Sequence, residues 1–191
     1  MTITLDLSPF IVLNDDQLFE LCRRHAELKI ERSAKGELEI LPPTGGSSGR
    51  RNAWLTHHLL EWAASDGSGI VFDSSTLFKL PSGAHRGPDA AWVSNERWNA
   101  LTPQQQDRFP PLCPDFVVEL ASPSDSLSEL RLKMKEYLEN GARLGWLLEP
   151  QTATVEIYRP QCDVETLVKP ASLSGEGVLP GFILDLSEIL L

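Results

Sequence analysis

The sequence predicts a mixed α/β (α+β) fold, a central sheet flanked by helices with an N-terminal helix and β-hairpin ahead of it. Three observations lead there. Two windows, 51–65 and 124–141, repeat apolar residues at helical spacing. Short apolar runs bounded by Pro and Gly lie between and after them. A third, N-terminal window alternates polar and apolar residues on both sides of Lys35-Gly36, as a hairpin does.

The elements follow in order. "LNDDQLFELCRRHAEL" (13–28) reads as a helix, with Asn14 as N-cap, Gln17 completing a capping box, and Leu18, Leu21 and Cys22 as its apolar stripe. "KIERSAKGELEIL" (29–41) is the hairpin. "PPTGGSSGRRN" (42–52) reads as a loop leading into the helix "RNAWLTHHLLEWAAS", where Leu55, Leu59 and Trp62 share a face. "IVFDSS" (70–75) is a strand, "TLFKLPSG" a hairpin arm, and "GPDAAWVS" (87–94) a further strand. A polar, Pro-punctuated insert with a helical turn or two follows.

"CPDFVVELASPS" (113–124) supplies a strand apolar on both faces. "SPSDSLSELRLKMKEYLENG" is the clearest helix of the chain: Ser124 is the expected N-cap, Leu127, Leu130, Met134 and Leu138 the buried stripe, and Asn140-Gly141 the stop. "RLGWLLEP" and "TVEIYRP" read as paired strands turning near Gln151-Thr152, and the tail as another strand pair with a short closing helix.

Composition narrows function. Of 191 residues 41% are hydrophobic and 23% charged, as in a soluble globular protein of one domain. No apolar run approaches a membrane span, and the N-terminus lacks the pattern of a signal peptide, so the expected location is the cytoplasm. Three scattered cysteines without a CxxC pair predict reduced, mostly buried thiols. His57 and His58 are adjacent on a helix, and about 100° of divergence is expected to keep them from sharing a metal ion. A net charge of −10 excludes a general nucleic-acid coat protein, although a local basic groove can coexist with an acidic body.

Glu119 stands out because burying an unpaired carboxylate in an apolar strand is costly. Alternation puts Asp115, Val117, Glu119 and Ala121 on one face and Phe116, Val118 and Leu120 on the other. Asp89, after Pro88 at a strand start, faces Glu119 if the two strands are neighbours. Two such carboxylates repel unless a divalent cation joins them, and oxygen ligands suit Mg2+ or Mn2+. Lys133, about a quarter turn from the buried stripe, can bring its ammonium over the pair. Taken singly, each residue also has a structural reading: a turn aspartate, a snorkelling lysine, or a Glu119–Lys133 ion pair.

The segments "IERSAKGELEILPPTGGSSGRRN", "FDSSTLFKLPSGAHRGPDAAWV" and "PDFVVELASPSDSLSELRLKMKEYLENGARLGWLLEP" resemble the Uma-type family within the PD-(D/E)xK nuclease superfamily, the restriction-endonuclease-like fold. The resemblance implies a nuclease-like core over 50–150, an N-terminal extension over 1–45 and C-terminal strands over 151–191. It also implies a metal-dependent endonuclease acting on nucleic acid, DNA first, as a homodimer.

Carried over, Asp89 is the motif's aspartate and Glu119 its acidic partner, the two holding Mg2+ or Mn2+ with the carbonyl of Leu120. The strand position of the motif lysine is Ala121, so the resemblance points to Lys133 on the following helix, with Lys135 as the fallback. Asn52 and Asp73 are possible supports. Arg50, Arg51, Lys79 and Arg86 are loop cations that could meet phosphates, each taken singly reading first as a solvated charge, and Trp92, Trp98 and Phe109 are expected to contribute to a dimer contact or to the core. The alternative is a catalytically inactive nuclease-fold module acting in protein or nucleic-acid binding.

Overall fold

Burial of the apolar runs decides how the chain assembles. The computed structural model describes residues 2–190. In chain order its elements are β1 (Ile3–Leu5), α1 (Asp15–Arg24), β2 (Lys29–Arg32), β3 (Leu38–Leu41), α2 (Gly46–Asp66), β4 (Gly69–Asp73), β5 (Phe78–Lys79), β6 (His85–Arg86), β7 (Ala90–Ser94), α3 (Asn95–Asn99), α4 (Pro103–Gln106) and β8 (Phe116–Leu120). They continue as α5 (Leu127–Glu139), β9 (Leu144–Glu149), β10 (Thr154–Tyr158), β11 (Glu165–Val168), β12 (Ser172–Ser174), β13 (Ile183–Asp185) and α6 (Ser187–Leu190).

The main sheet has six strands in the order β11-β10-β9-β8-β7-β4, antiparallel except for β8–β9. The β8–α5–β9 crossover creates that parallel pair, since parallel neighbours need a long connection. On one face Phe116, Val118 and Leu120 pack with Leu55, Leu59 and Ala63 of α2. On the other, Val117 and Ala121 meet Met134 and Tyr137 of α5. The predicted alternation of β8 is therefore the division between the two cores. Gly69 in β4 shows how tight the first is: a Cβ there would lie 2.3 Å from the Trp92 ring and 2.4 Å from the Val93 carbonyl oxygen. Gly69→Ala is expected to cost about 1–3 kcal/mol by overpacking, read as a lowered urea midpoint.

A second sheet of five strands runs β1-β3-β2-β6-β5. Here the N-terminal hairpin is joined by the β5–β6 hairpin through Arg32 opposite His85. Residues 85–90 pass from β6 in this sheet to β7 in the main one, so Gly87, Pro88 and Asp89 form the seam between them.

Local signals performed as chemistry predicts in several places. Asn14 and Gln17 form the capping box of α1. Gly36 takes φ +92° in the hairpin turn, and Gly141 takes φ +106° just after α5. Elsewhere tertiary structure prevailed. Helix α2 begins at Gly46, inside the segment expected to be loop. Two glycines and two serines are held helical by a long amphipathic continuation docked on the sheet, which outweighs weak propensity.

The N-cap of α5 is Ser126, not Ser124, because Ser122 N and Asp125 Oδ2 close a turn (2.8 Å) that carries Ser124 outside the helix. The fully buried line of α5 is Met134 and Tyr137, with Leu127, Leu130 and Leu138 only partly buried. Strand β1, which no sequence pattern flagged, pairs with β3.

Trp92, Trp98 and Phe109 resolve as packing residues. Trp92 is buried and lies 6.0 Å from Trp62; Trp98 packs on Phe72 at 5.1 Å; Phe109 meets Phe19 and His85, each at 5.2 Å. Of the cysteines, all free, only Cys113 is buried, while Cys22 is half-buried and Cys162 exposed, which corrects the expectation of mostly buried thiols. Among the described residues no helix is long and apolar enough to cross a membrane.

Candidate active site at the seam of two sheets

Register brings the two predicted carboxylates together. Ala90 pairs with Val118 across β7 and β8, and Asp89 N donates to the Val118 carbonyl at 2.9 Å. Asp89 therefore stands at the point where β8 reaches Glu119. Its Oδ2 accepts from Leu120 N (2.8 Å) and its Oδ1 from Asn52 Nδ2 (3.0 Å). Asn52, expected as a support, lies on the first turns of α2 and reaches Asp89 from there. Leu120 contributes its amide to Asp89. The other Asn52 amide atom, Oδ1, is buried and has no hydrogen-bond partner among the described residues.

Glu119 is 4% exposed. Tyr137 Oη donates to its Oε1 at 2.9 Å, and Lys133 Nζ lies 3.0 Å from the same oxygen. Both groups come from α5 at i and i+4, one turn apart on the helix face that meets the sheet. No hydrogen bond among the described residues reaches Glu119 Oε2. Lys133 also donates to Glu31 Oε1 at 3.0 Å. Glu31, on β2, is 1% exposed and accepts from Gly87 N at 3.0 Å as well.

Glu31 and Tyr137 are the residues that sequence reasoning missed. The only signal for Tyr137 was its four-residue spacing from Lys133. Glu31 carried none, since its hairpin reads as a half-solvated pair of strands.

The two carboxylates on Lys133 respond in opposite ways. The Glu119 carboxyl is pushed up to about 7, chiefly by burial, with Asp89 and Glu31 adding to the rise and Lys133 opposing it. Burial also disfavours charge on Glu31, yet Lys133, Lys29 and Arg86 together hold it below its ordinary value. Lys133 itself is held above its ordinary value: its two carboxylates outweigh the cost of burial.

A folded-state value above the unfolded one has a definite sign. The stability Glu119 contributes is complete below its unfolded pKa of 4.5 and is lost as pH rises towards 7. In EDTA, the melting temperature of Glu119→Gln relative to the parent protein is expected to climb between pH 4.5 and 7 and to level off above.

Other expected participants lie elsewhere. Asp73 is exposed and accepts from the amide and hydroxyl of Ser75. Lys135 is exposed on the outer side of α5. Arg50 is paired with Glu188, and Lys79 with Asp15. Arg86 is the clearest correction. Far from facing a phosphate, it is buried against Glu136 (2.6 Å), Glu39 (2.7 Å) and Glu31 (3.3 Å). Adjacent His57 and His58, expected to diverge, bring ligand atoms within 4.8 Å of each other and of Glu61 on the surface of α2.

Asp89, the Glu119 oxygen that no hydrogen bond reaches among the described residues and Oδ1 of Asn52 are oxygen donors, the type that could hold a hard divalent cation. A neighbouring carboxylate disfavours a second negative charge, and Asp89 adds to the rise at Glu119.

Comparison with known proteins gives three findings. The family model Uma2, described as "Putative restriction endonuclease", matches residues 15–187. A crystal structure described as "a putative nuclease belonging to DUF820" from Anabaena variabilis ATCC 29413 superposes with a TM-score of 0.77, over 93% of this chain and 97% of that one at 18% identity, which shows a shared fold. Trigger factors of Mycobacterium ulcerans (strain Agy99) and Mycobacterium marinum (strain ATCC BAA-535 / M) are each 30% identical over 116 residues, 58% of this chain. The chain spans only 22% of the length of either trigger factor.

Proposed function

This chain belongs to the Uma2 family, and from that premise we propose that it is a metal-dependent endonuclease hydrolysing phosphodiester bonds of nucleic acid, DNA in the first instance. The observation that carries the reading is the buried Glu119 carboxyl, disfavoured as a charge yet aligned with Asp89 and beneath Lys133. A purely structural ion pair would hold its carboxylate low, as Glu31 is held.

Asp89 and Glu119, with the carbonyl of Leu120 and the amide oxygen of Asn52, would hold Mg2+ or Mn2+. A bound ion of this kind supplies Lewis acidity towards a phosphoryl oxygen and lowers the pKa of a coordinated water. The chain's own groups do the rest. Leu120 N and Asn52 Nδ2 fix both oxygens of Asp89. Tyr137 Oη holds Glu119 Oε1 and leaves Oε2 open. Lys133, kept protonated by its carboxylates, provides positive charge for the oxygens on which negative charge develops.

The test is nicking of supercoiled plasmid with Mg2+ or Mn2+ against EDTA, beside Lys133→Met. Metal-dependent nicking is expected, reduced about 10²–10³-fold in the variant. No cleavage together with no calorimetric metal binding would favour a second reading, an inactive nuclease-fold module. Ala121 at the strand position of the motif lysine, and the pairing of Arg50, Lys79 and Arg86 with carboxylates, favour that alternative. We also propose a homodimer, since cutting both strands requires two sites. Exposed apolar residues at Ile3, Leu5, Phe10, Ile11 and Val12 offer it a surface. Sedimentation as a monomer at high concentration would end that idea.

A further inference from the structure

Lys133 has two buried carboxylates at the same distance, 3.0 Å each, but the fold equips them differently. Glu31 is fully engaged. Its Oε1 takes Lys133 and the amide of Gly87, its Oε2 takes Arg86 at 3.3 Å, and Lys29 Nζ stands 4.0 Å away. Lys29 is itself anchored on the Gly87 carbonyl at 2.8 Å. Among the described residues Lys133 is the only cation at ion-pair distance from Glu119, and no hydrogen bond reaches the second Glu119 oxygen. The two acids also come from different places: Glu119 from the main sheet, Glu31 from the N-terminal one.

This difference bears on metal binding. A lysine with a single buried counter-ion cannot be separated from it without leaving both charges uncompensated. A divalent cation approaching Glu119 would then have to displace the lysine against that cost. A second, permanently held carboxylate removes the obstacle, because the lysine stays paired whichever partner Glu119 takes.

We infer that Glu31 is the standing counter-ion of Lys133, a positioning residue that keeps the lysine charged and in place and leaves Glu119 available to a divalent cation. The inference rests on the nuclease reading above. It assigns the N-terminal hairpin a part in the site instead of the role of an appendage. Glu31 is not itself a ligand in this scheme, because two cations, Lys133 and Arg86, already neutralise it.

The experiment is calorimetric titration of the full chain with Mn2+, for the parent protein, Glu31→Gln, Lys133→Met and the double variant, each checked for folding by circular dichroism. In Glu31→Gln the lysine has only Glu119, and the Mn2+ dissociation constant is expected to rise about tenfold or more. Adding Lys133→Met should bring it back towards the parent value. A double variant binding as weakly as Glu31→Gln would make Glu31 a ligand and overturn the inference; so would a Glu31→Gln protein that binds like the parent.

A parent protein that binds no Mn2+ would sink the nuclease reading alone, and denaturant unfolding then decides the counter-ion assignment. Larger non-additivity of Glu31→Gln with Lys133→Met than of Glu119→Gln with Lys133→Met is the expected pattern. The reverse pattern would overturn it.

Discussion

Replacing Glu119 by alanine is expected to abolish metal-dependent cleavage while leaving the melting temperature unchanged or higher. Activity goes because one of two aligned carboxylates goes with it, and Asp89 alone is a poor site for a hard divalent ion. Stability holds because burial already disfavours this charge, and Asp89 and Glu31 disfavour it further. Its removal relieves both. Lys133 is not stranded, since Glu31 remains 3.0 Å away. The loss is the hydrogen bond from Tyr137, about 1 kcal/mol, plus a small void. Glu119→Gln keeps the volume and separates those effects. A structural ion pair predicts the opposite, a cost of about 3–5 kcal/mol. At about 2–4 °C per kcal/mol for a chain of this size, the two readings differ by roughly 10 °C.

Arg86→Met is expected to have the largest effect on stability, about 3–5 kcal/mol, with a melting temperature lower by roughly 10 °C. The guanidinium neutralises Glu31, Glu39 and Glu136, which approach it from two strands and a helix. Burial works against its charge, and those three carboxylates raise its pKa regardless. Methionine matches much of the volume but leaves three acids facing one another. If Arg86 instead served a nucleic-acid backbone, the variant would keep its melting temperature and lose affinity with a shallower salt dependence. Thermal unfolding and a salt titration on the same protein separate these outcomes.

Much of the architecture was legible because it is written in local chemistry. The capping box of Asn14 and Gln17, the turn at Gly36 and the stop at Gly141 depend on side chains and φ angles within a few residues. The alternation of "FVVEL" identified Glu119 as an anomaly and gave its face. Where local rules failed, a distant surface was involved. Gly46 to Gly49 read as loop until the rest of α2 docks on the sheet. Arg86 read as a loop cation, for nothing nearby in the sequence announces Glu31 or Glu39.

By itself, then, the sequence determined the mixed α/β class and the two faces of β8, and singled out Asp89, Glu119 and Lys133 as candidates, because a strand's period and a helix's turn give the face of each side chain from short-range spacing. Only the tertiary structure decided that Lys133 is shared with Glu31, 102 residues away, and that Arg86 is buried among acids. Those contacts join α5 to the N-terminal sheet and β6 to its neighbours β2 and β3, and the pairing of β2 with β6 is a long-range event with no local pattern to announce it.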